Sequence, residues 1–193
     1  YTITDAGTLQ EKFDDTMSYS NRRKEILAEE YIGGDEFTID GLVVNGTHYP
    51  LCISIKEMYK ENPNVSMVQT YTYSHPIYDY ELLRNTNKAL VESIGLPMGL
   101  THSEYKFYKG EFYLIEAGAR GGGSNLSGKI VPYMSGVDNY EYLIKEALGQ
   151  NVDQEVLKQL HLPKQRCVVM RFFDFGEGIV RNVYGKDYLA HHT

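Results

Sequence analysis

The stretch from residue 99 to residue 123 reads G-L-T-H-S-E-Y-K-F-Y-K-G-E-F-Y-L-I-E-A-G-A-R-G-G-G. Two strand-like segments, residues 99–108 and 111–116, flank Lys109-Gly110, a dipeptide typical of a tight hairpin turn, and the second contains the apolar run F-Y-L-I. We therefore predict two antiparallel strands, the second of which is buried and ends at Glu116. Arg120 and three consecutive glycines follow directly.

This hairpin brings two carboxylates together. Counting outward from the turn, with a tolerance of one residue, places Glu104 opposite Glu116 on one face, with Cβ atoms about 5 Å apart. Like charges there are destabilising unless a cation lies between them, and two carboxylates with room for water suit Mg²⁺. The residues alone leave three interpretations open: a metal site, two solvated glutamates, or the acid–base pair of a glycoside hydrolase.

Arg120 and the glycines add features typical of phosphate binding. Glycines let a backbone approach a ligand closely, and exposed N–H groups there can bind phosphate oxygens. An arginine can bind the same phosphate through two hydrogen bonds. Together with a metal pair these residues favour phosphoryl chemistry, although R-G-G-G alone is equally typical of a flexible loop before a helix.

Composition limits the function classes further. The 193 residues carry a formal net charge of −7, which argues against a nucleic-acid partner. No apolar run approaches the roughly 20 residues that a membrane helix needs. Cys52 and Cys167 lie in apolar, strand-like segments, so we expect two buried free thiols in a reducing, cytoplasmic compartment. Because the chain begins with Tyr1 and not with Met, we expect it to be a piece of a longer protein.

The rest of the sequence predicts an α+β fold with an antiparallel sheet and packed helices, because the strand connections are too short for parallel crossovers. Hydrophobic spacing predicts helices at residues 8–18, 80–94, 127–134, 139–148 and 154–160. Thr8 and Glu11 match a capping box for the first of them. Strands are predicted at residues 26–32, 36–44, 48–55 and 68–74, and a C-terminal β-hairpin after residue 166.

Most polar side chains outside the hairpin are expected at the surface or in loops. Residues 56–67 are expected to form a mobile polar loop. Lys56 could face a substrate pocket, but a solvated lysine is the favoured interpretation. His48, His75 and His161 are expected at the surface or in loops.

Three segments, in this order, resemble those of ATP-grasp enzymes. A-E-E-Y-I-G-G-D-E-F-T-I-D-G (residues 28–41) resembles their adenine-binding hinge, and residues 99–123 resemble their metal-binding hairpin. R-C-V-V-M-R-F-F-D-F-G-E-G-I-V (residues 166–180) is similar to the C-terminal β-hairpin region of the carboxylate–amine ligase branch, near the biotin carboxylase and carbamoyl phosphate synthetase relatives. The resemblance covers nearly the whole chain.

The resemblance implies a nucleotide site at the hinge. The residues matching the segment that holds adenine are Glu29, Glu30, Tyr31 and Ile32, and the position of Ile32 offers its N–H to the ring. Glu36 matches the acid that binds the ribose hydroxyls.

The resemblance also implies roles at the hairpin. Glu104 and Glu116 match the two magnesium carboxylates, and Arg120 matches the arginine that faces the transferred phosphate. His102 matches a position near the γ-phosphate. Gly122 belongs to the glycine backbone that would stabilise an acyl phosphate. Gly118 stands where the family commonly has an asparagine ligand, which puts the second metal ion in doubt.

By resemblance, the parent protein is a ligase that uses ATP and Mg²⁺ (or Mn²⁺) to phosphorylate a carboxylate, which an amine or similar nucleophile then attacks. Its expected partners are small-molecule carboxylates and amines, without nucleic acid or membrane, and a homodimer is left open. Residues 1–160 would form an ATP-grasp domain fragment that is mostly the larger subdomain, and residues 164–193 the start of a C-terminal β-rich region.

The family's glycine-rich phosphate loop and ATP-binding lysines would precede Tyr1, so this piece alone is expected to be inactive. The alternative, which Gly118 favours, is a nucleotide-binding regulatory or interaction domain without catalysis.

Overall fold

The computed structural model describes residues 1–20, 25–160 and 166–190. In these residues a six-stranded antiparallel sheet has the order β5-β4-β1-β2-β3-β6. The strands are β1 (Asp35–Val44), β2 (Thr47–Met58), β3 (Ser66–Thr72), β4 (Gly99–Tyr108), β5 (Glu111–Gly118) and β6 (Cys167–Arg171). The predicted α+β class with an antiparallel sheet is confirmed.

The described residues also form helices. They are α1 (Leu9–Ser18), α2 (Tyr80–Ile94), α3 (Val131–Ser135), α4 (Asn139–Ala147), α5 (Asp153–Leu160) and α6 (Lys186–Ala190), with a 3₁₀ turn at Ala6–Thr8 and a π-helical turn at Leu126–Ile130. No helix in the described part of the chain is long and apolar enough to cross a membrane.

Two tight turns define the hairpins, as the sequence predicts. Asn45 and Gly46 have φ of 49° and 76°, and Lys109 and Gly110 have φ of 51° and 89°. These left-handed conformations give a two-residue turn the twist that neighbouring strands require.

The central strand β1 separates the two faces of the sheet. Phe37 and Ile39 pack on one face against Tyr80 and Leu83 of α2. On the opposite face, Leu42 belongs to the core formed with α3, α4 and α5. Toward the start of β1 this second face carries the polar side chains of Glu36 and Asp40, which belong to the candidate site.

The structure corrects several local predictions. Residues 26–32 form no strand, and Thr8 makes no side-chain cap on α1; its hydroxyl donates to the Asp5 carbonyl oxygen at 2.9 Å. The predicted C-terminal β-hairpin is wrong, because residues 179–185 form no strand and β6 pairs instead with β3 at one edge of the sheet. Residues 56–58 continue β2, so the expected loop is limited to residues 59–65.

Burial at the two sheet edges also differs from expectation. β5 is an edge strand whose Leu114 and Ile115 are exposed, so the expectation of a buried strand is wrong. At the other edge, Cys167 of β6 is exposed, whereas Cys52 in β2 is buried as predicted. Both thiols are free.

Candidate active site

A cluster of charged side chains lies on the polar part of the second sheet face. It consists of Glu36 and Asp40 of β1, Lys56 of β2, and His102 and Glu104 of β4, and we call it the polar cluster. Strand register aligns it, since Glu36 is opposite Lys56 and Asp40 is opposite His102. Residues opposite each other in a sheet point to the same face, so the register brings these charges into contact.

Lys56 joins two of the carboxylates. Its Nζ lies 2.7 Å from Glu36 Oε1 and 2.8 Å from Glu104 Oε1, and its side chain is only 9% exposed. Burial alone would lower the pKa of Lys56, but its hydrogen bonds to Glu104 and Glu36 raise it. The favoured prediction of a solvated Lys56 is therefore wrong, and Lys56 lies within the polar cluster.

Glu104 and Glu116 are register partners, as counting from the turn predicts. A bulge between Glu104 and Tyr105 leaves Ile115 as the extra residue of β5 and sets this pairing. Their surroundings differ, because Glu104 is half-buried in the polar cluster while Glu116 is 58% exposed. Hydrogen bonds from His102 and Lys56 hold the pKa of Glu104 at about 2 despite its burial, so Glu104 is ionised at neutral pH.

His102 lies between two carboxylates. Its Nδ1 is 2.9 Å from Asp40 Oδ1, and its Nε2 is 3.3 Å from Glu104 Oε1. Burial opposes protonation, yet the hydrogen bonds and charges of Asp40 and Glu104 raise the pKa of His102 to about 9. His102 therefore carries a positive charge at neutral pH.

Asp40 is the buried partner of His102, and the sequence did not assign it to the site. It is 2% exposed, and its Oδ2 has no hydrogen-bond partner among the described residues. Burial raises the pKa of Asp40, while the hydrogen bond from His102 and a backbone hydrogen bond from Gly122 oppose that rise. Its signal in the sequence is an aspartate at a core-facing position of the strand segment F-T-I-D-G-L.

The three glycines have different surroundings. A Cβ on Gly122 would lie 2.3 Å from Leu126 Cδ2 and 2.9 Å from Asp40 Oδ1, and one on Gly121 would lie 2.4 Å from Ser127 Oγ. A Cβ on Gly123 would meet nothing within 4 Å. Two of the glycines are thus required for close packing of the loop onto the polar cluster, and Gly123 faces open space.

Arg120 folds back onto Glu116. Its Nη2 donates to Glu116 Oε1 at 3.3 Å, and both side chains are 58% exposed. A Cβ on Gly118 would approach Arg120 Cγ to 3.3 Å, so the glycine leaves room for the arginine. The side chain missing at Gly118 thus has a packing reason in this chain.

The predicted hinge residues lie outside the polar cluster, and Lys106 lies between Tyr31 of the hinge and Glu36 of the cluster. Tyr31 is 68% exposed, and Lys106 Nζ lies 5.4 Å from the centre of its ring. The same Nζ is 3.9 Å from Glu36 Oε2. Glu29 and Glu30 are exposed and Ile32 is half-buried, and in the described chain none of these four residues makes a backbone–backbone hydrogen bond. Their main-chain groups therefore have no backbone partner among the described residues.

The surface or loop prediction for the three histidines outside the hairpin holds for one of them and is wrong for another. His48 is buried at 1% exposure, so the surface prediction is wrong for it. His75 is half-buried and precedes α2 in a connecting segment, as predicted. His161 lies outside the described residues.

The residues at the hairpin fit a hard cation. Glu104 is held ionised, Glu116 is accessible, and both offer oxygen ligands from neighbouring strands. In the described ranges no three Asp, Glu, His or Cys side chains converge as a complete metal site. A donor set of two carboxylates suits Mg²⁺, which takes its other ligands from water and substrate phosphates.

Comparison with known proteins gives the family of the chain. Residues 4–128 match the family described as ATP-grasp domain, and this match extends over more than half of the chain. The chain belongs to the ATP-grasp family. A curated relative, dapdiamide A synthase of Enterobacter agglomerans, is 25% identical over 135 residues, which are 69% of this chain and 28% of the relative.

Solved structures share the ATP-grasp fold of this chain. An L-amino acid ligase from Bacillus licheniformis aligns with a TM-score of 0.75 and 23% identity, over 98% of this chain and 46% of the ligase. A phosphoribosylglycinamide synthetase from Anaerococcus prevotii aligns with a TM-score of 0.63 and 19% identity, over 86% of this chain and 42% of that protein. A complex of biotin carboxylase with β,γ-ATP from Campylobacter jejuni aligns with a TM-score of 0.61 and 18% identity, over 83% of this chain and 34% of the carboxylase. This chain spans less than half the length of each relative.

Proposed function

We propose that the whole protein is a ligase that uses ATP to join a carboxylate to an amine through an acyl phosphate. The observation that carries this proposal is the register pairing of Glu104 with Glu116 beside Arg120, in a chain of the ATP-grasp family. The relatives named as a synthase and an amino acid ligase support the reaction class.

In this proposal Glu104 and Glu116 hold Mg²⁺, which when bound neutralises phosphate charge. Arg120 leaves Glu116 to bind the transferred phosphate, since their ion pair is exposed and costs little to break. His102, protonated between Asp40 and Glu104, adds a fixed positive charge facing the same phosphate. Gly122 keeps the loop packed against this histidine, and Gly123 offers the open backbone.

The nucleotide is proposed to lie along residues 29–36. Glu29, Glu30, Tyr31 and Ile32 would hold the adenine through main-chain groups, and Glu36 would bind the ribose hydroxyls. Lys106, which contacts both the Tyr31 ring and Glu36, supports a continuous binding surface between them. Residues 1–160 are proposed as part of the ATP-grasp domain and residues 164–193 as the start of a following region.

The test is ADP release by the full-length protein, with panels of small carboxylates and amines. We expect release that requires ATP, Mg²⁺, one acid and one amine. Glu116→Gln should reduce the rate at least about 100-fold, because it removes a metal carboxylate. Glu111→Gln is the matched control, since Glu111 lies exposed on the same strand and should keep wild-type activity.

A binding domain without catalysis is the second candidate, suggested by the glycine at position 118. It predicts tight ATP binding that is insensitive to Mg²⁺ and is followed by no carboxylate-dependent ADP release. Calorimetry with and without Mg²⁺ separates the two candidates. An absence of carboxylate-dependent release across the panels would contradict the ligase proposal.

A further inference from the structure

A second concave site lies beside the polar cluster. It is a pocket of about 760 Å³ between the β2–β3 loop and the segment that follows β6. Its lining residues are Tyr59, Glu61, Asn62, Asn64, Val65, Ser66, Gln69, Phe172, Phe173 and Asp174. The volume is in the range of sites that bind small molecules.

Hydrogen bonds hold the two walls of this pocket together. The Tyr59 hydroxyl donates to the Phe172 carbonyl oxygen at 2.9 Å, and the Phe172 N–H donates to the Met67 carbonyl oxygen at 2.9 Å. Within the loop, Tyr59 N–H donates to Val65 O at 3.0 Å, and Val65 N–H donates to Asn62 O at 3.0 Å. The pocket is therefore formed before any ligand binds, which lowers the entropic cost of binding.

The lining combines aromatic surface with negative charge. Tyr59, Phe172 and Phe173 provide three rings, and Glu61 and Asp174 provide two carboxylates. Neither a lysine nor an arginine is among the lining residues in the described part of the chain. Arg171 stacks 5.6 Å from the centre of the Phe173 ring without lining the pocket. An ammonium group would be attracted both by the carboxylates and by the ring faces.

Gln69 connects the pocket to the polar cluster. It lines the pocket and is the register partner of Lys56, whose Nζ binds Glu36 and Glu104. Register partners point to the same face of a sheet, so the pocket and the polar cluster open on one face. A molecule in the pocket lies beside the residues that are proposed to bind ATP.

We propose that this pocket binds one of the two small-molecule substrates, recognising a primary ammonium group carried on an aromatic or long apolar body. That the bound molecule is a substrate rests on the proposed ligase function, whereas the recognition of an ammonium group rests on the pocket alone. The two negative side chains of the lining disfavour a free carboxylate as the group that enters this pocket, because no cation among the described lining residues would offset them.

Binding to the full-length protein without nucleotide tests the pocket directly. By calorimetry at pH 7, 2-phenylethylamine should bind saturably, and 3-phenylpropionate, which carries the opposite charge on a similar body, at least about tenfold more weakly. The double variant Glu61→Gln/Asp174→Asn should lose about tenfold in affinity for the amine. Glu177→Gln, an exposed carboxylate on the same segment outside the lining, should bind like wild type.

Equal affinity for the two probes, or an unchanged affinity in the double variant, would overturn the pocket proposal. Thermal unfolding of each variant checks the fold, and the two single variants replace the double variant if it does not fold. If the pocket variants keep ligase activity with an unchanged KM for every amine, the ligase proposal stands and the pocket proposal is contradicted. If instead the double variant loses amine binding but the wild-type protein releases no ADP, the pocket proposal stands and the ligase proposal is contradicted.

Discussion

At the residue scale, Lys56 balances the carboxylates of the polar cluster. Its one ammonium group contacts both Glu36 and Glu104, whose side chains are 15% and 23% exposed. Two partly buried carboxylates that share one cation would repel each other without it. The stability of this face of the sheet should therefore depend on the lysine and on pH.

Lys56→Met should lower the free energy of unfolding by about 3 kcal/mol at pH 7, since it removes the cation that two partly buried carboxylates share and leaves them only His102 and Lys106 as charged partners. The pKa of Glu104, now about 2, should rise without its cation, so protonation relieves part of the loss as the pH falls toward 4. Urea unfolding at pH 7 and pH 4.5 measures both effects. Lys60→Met, at an exposed loop position, is the control and should change stability by less than about 0.5 kcal/mol. An equal loss at both pH values would contradict the charge argument.

His48 predicts a second pH dependence. Burial, and then the positive charge of Lys88, lower the pKa of His48 from 6.5 to about 4, while Glu92 acts in the opposite direction. A histidine with a depressed folded-state pKa gives stability above pH 6.5 that is lost as the pH falls toward 4, because the unfolded state binds the proton first. The shift corresponds to about 3 kcal/mol.

Urea unfolding from pH 7.5 to pH 4 tests this dependence. Wild type should lose more stability in that window than His48→Gln, which cannot titrate but keeps a group able to hydrogen-bond the Thr101 hydroxyl, 2.9 Å from His48 Nε2 in the native chain. Parallel pH curves for the two proteins would show that His48 does not titrate as argued.

Two charge pairings at this scale show what the sequence could and could not predict. Counting from the Lys109-Gly110 turn found the Glu104–Glu116 pair because a tolerance of one residue covered the bulge at Ile115. A count from Asn45-Gly46 without that tolerance places Ile55 opposite Glu36, since a register shift near Asp40 moves the pairing by one residue. A one-residue slip reverses the face of every side chain, so the sequence alone does not decide whether Lys56 lies on the face of Glu36.

At the element scale, the glycine loop connects β5 to the π-helical turn and presses on the polar cluster. Gly122→Ala should lower the free energy of unfolding by about 1–3 kcal/mol, because its Cβ would lie 2.3 Å from the buried Leu126 side chain and 3.1 Å from His102 Nδ1. Gly123→Ala should be within about 1 kcal/mol of wild type, since no atom lies within 4 Å of its Cβ.

Thermal unfolding of both variants, with histidine NMR titration of His102, tests this difference between neighbouring positions. In Gly122→Ala the pKa of His102 should fall from about 9 if Asp40 is displaced. Equal stability of the two alanine variants would mean that the loop does not pack on the cluster.

Elements fixed by local signals were predicted well, and those fixed by distant partners were not. Helix α2 matches its predicted bounds, since Asp79 Oδ1 accepts from Leu82 N–H at its start and Gly95, with φ of 73°, ends it. Strand β6 was assigned to a hairpin because its partner, β3, lies about one hundred residues earlier. The Asp40–His102 contact is hidden for the same reason, because β1 and β4 are joined by no short turn.

At the scale of the whole molecule, the two cysteines mark the centre and the edge of one sheet. Cys52 is 6% exposed in the interior strand β2, and burial raises the pKa of its thiol well above the usual value. Cys167 is exposed in the edge strand β6. The reaction rate of the Cys52 thiol therefore reports opening of the sheet, and that of the Cys167 thiol reports reaction at its surface.

The native 193-residue chain should show one fast and one slow thiol toward Ellman's reagent. Cys52 should react about 10³-fold or more slowly than Cys167, since its reaction needs an opening that costs at least about 5 kcal/mol. Cys167→Ser should remove only the fast phase and Cys52→Ser only the slow one, which assigns each phase. Urea below the unfolding transition should accelerate the slow phase alone, because exposing β2 requires the β1–β2–β3 core to separate, whereas Cys167 is already at the surface. Two slow phases would contradict the placement of β6 at an exposed edge, and two fast phases would show that the central strands do not form a cooperative unit.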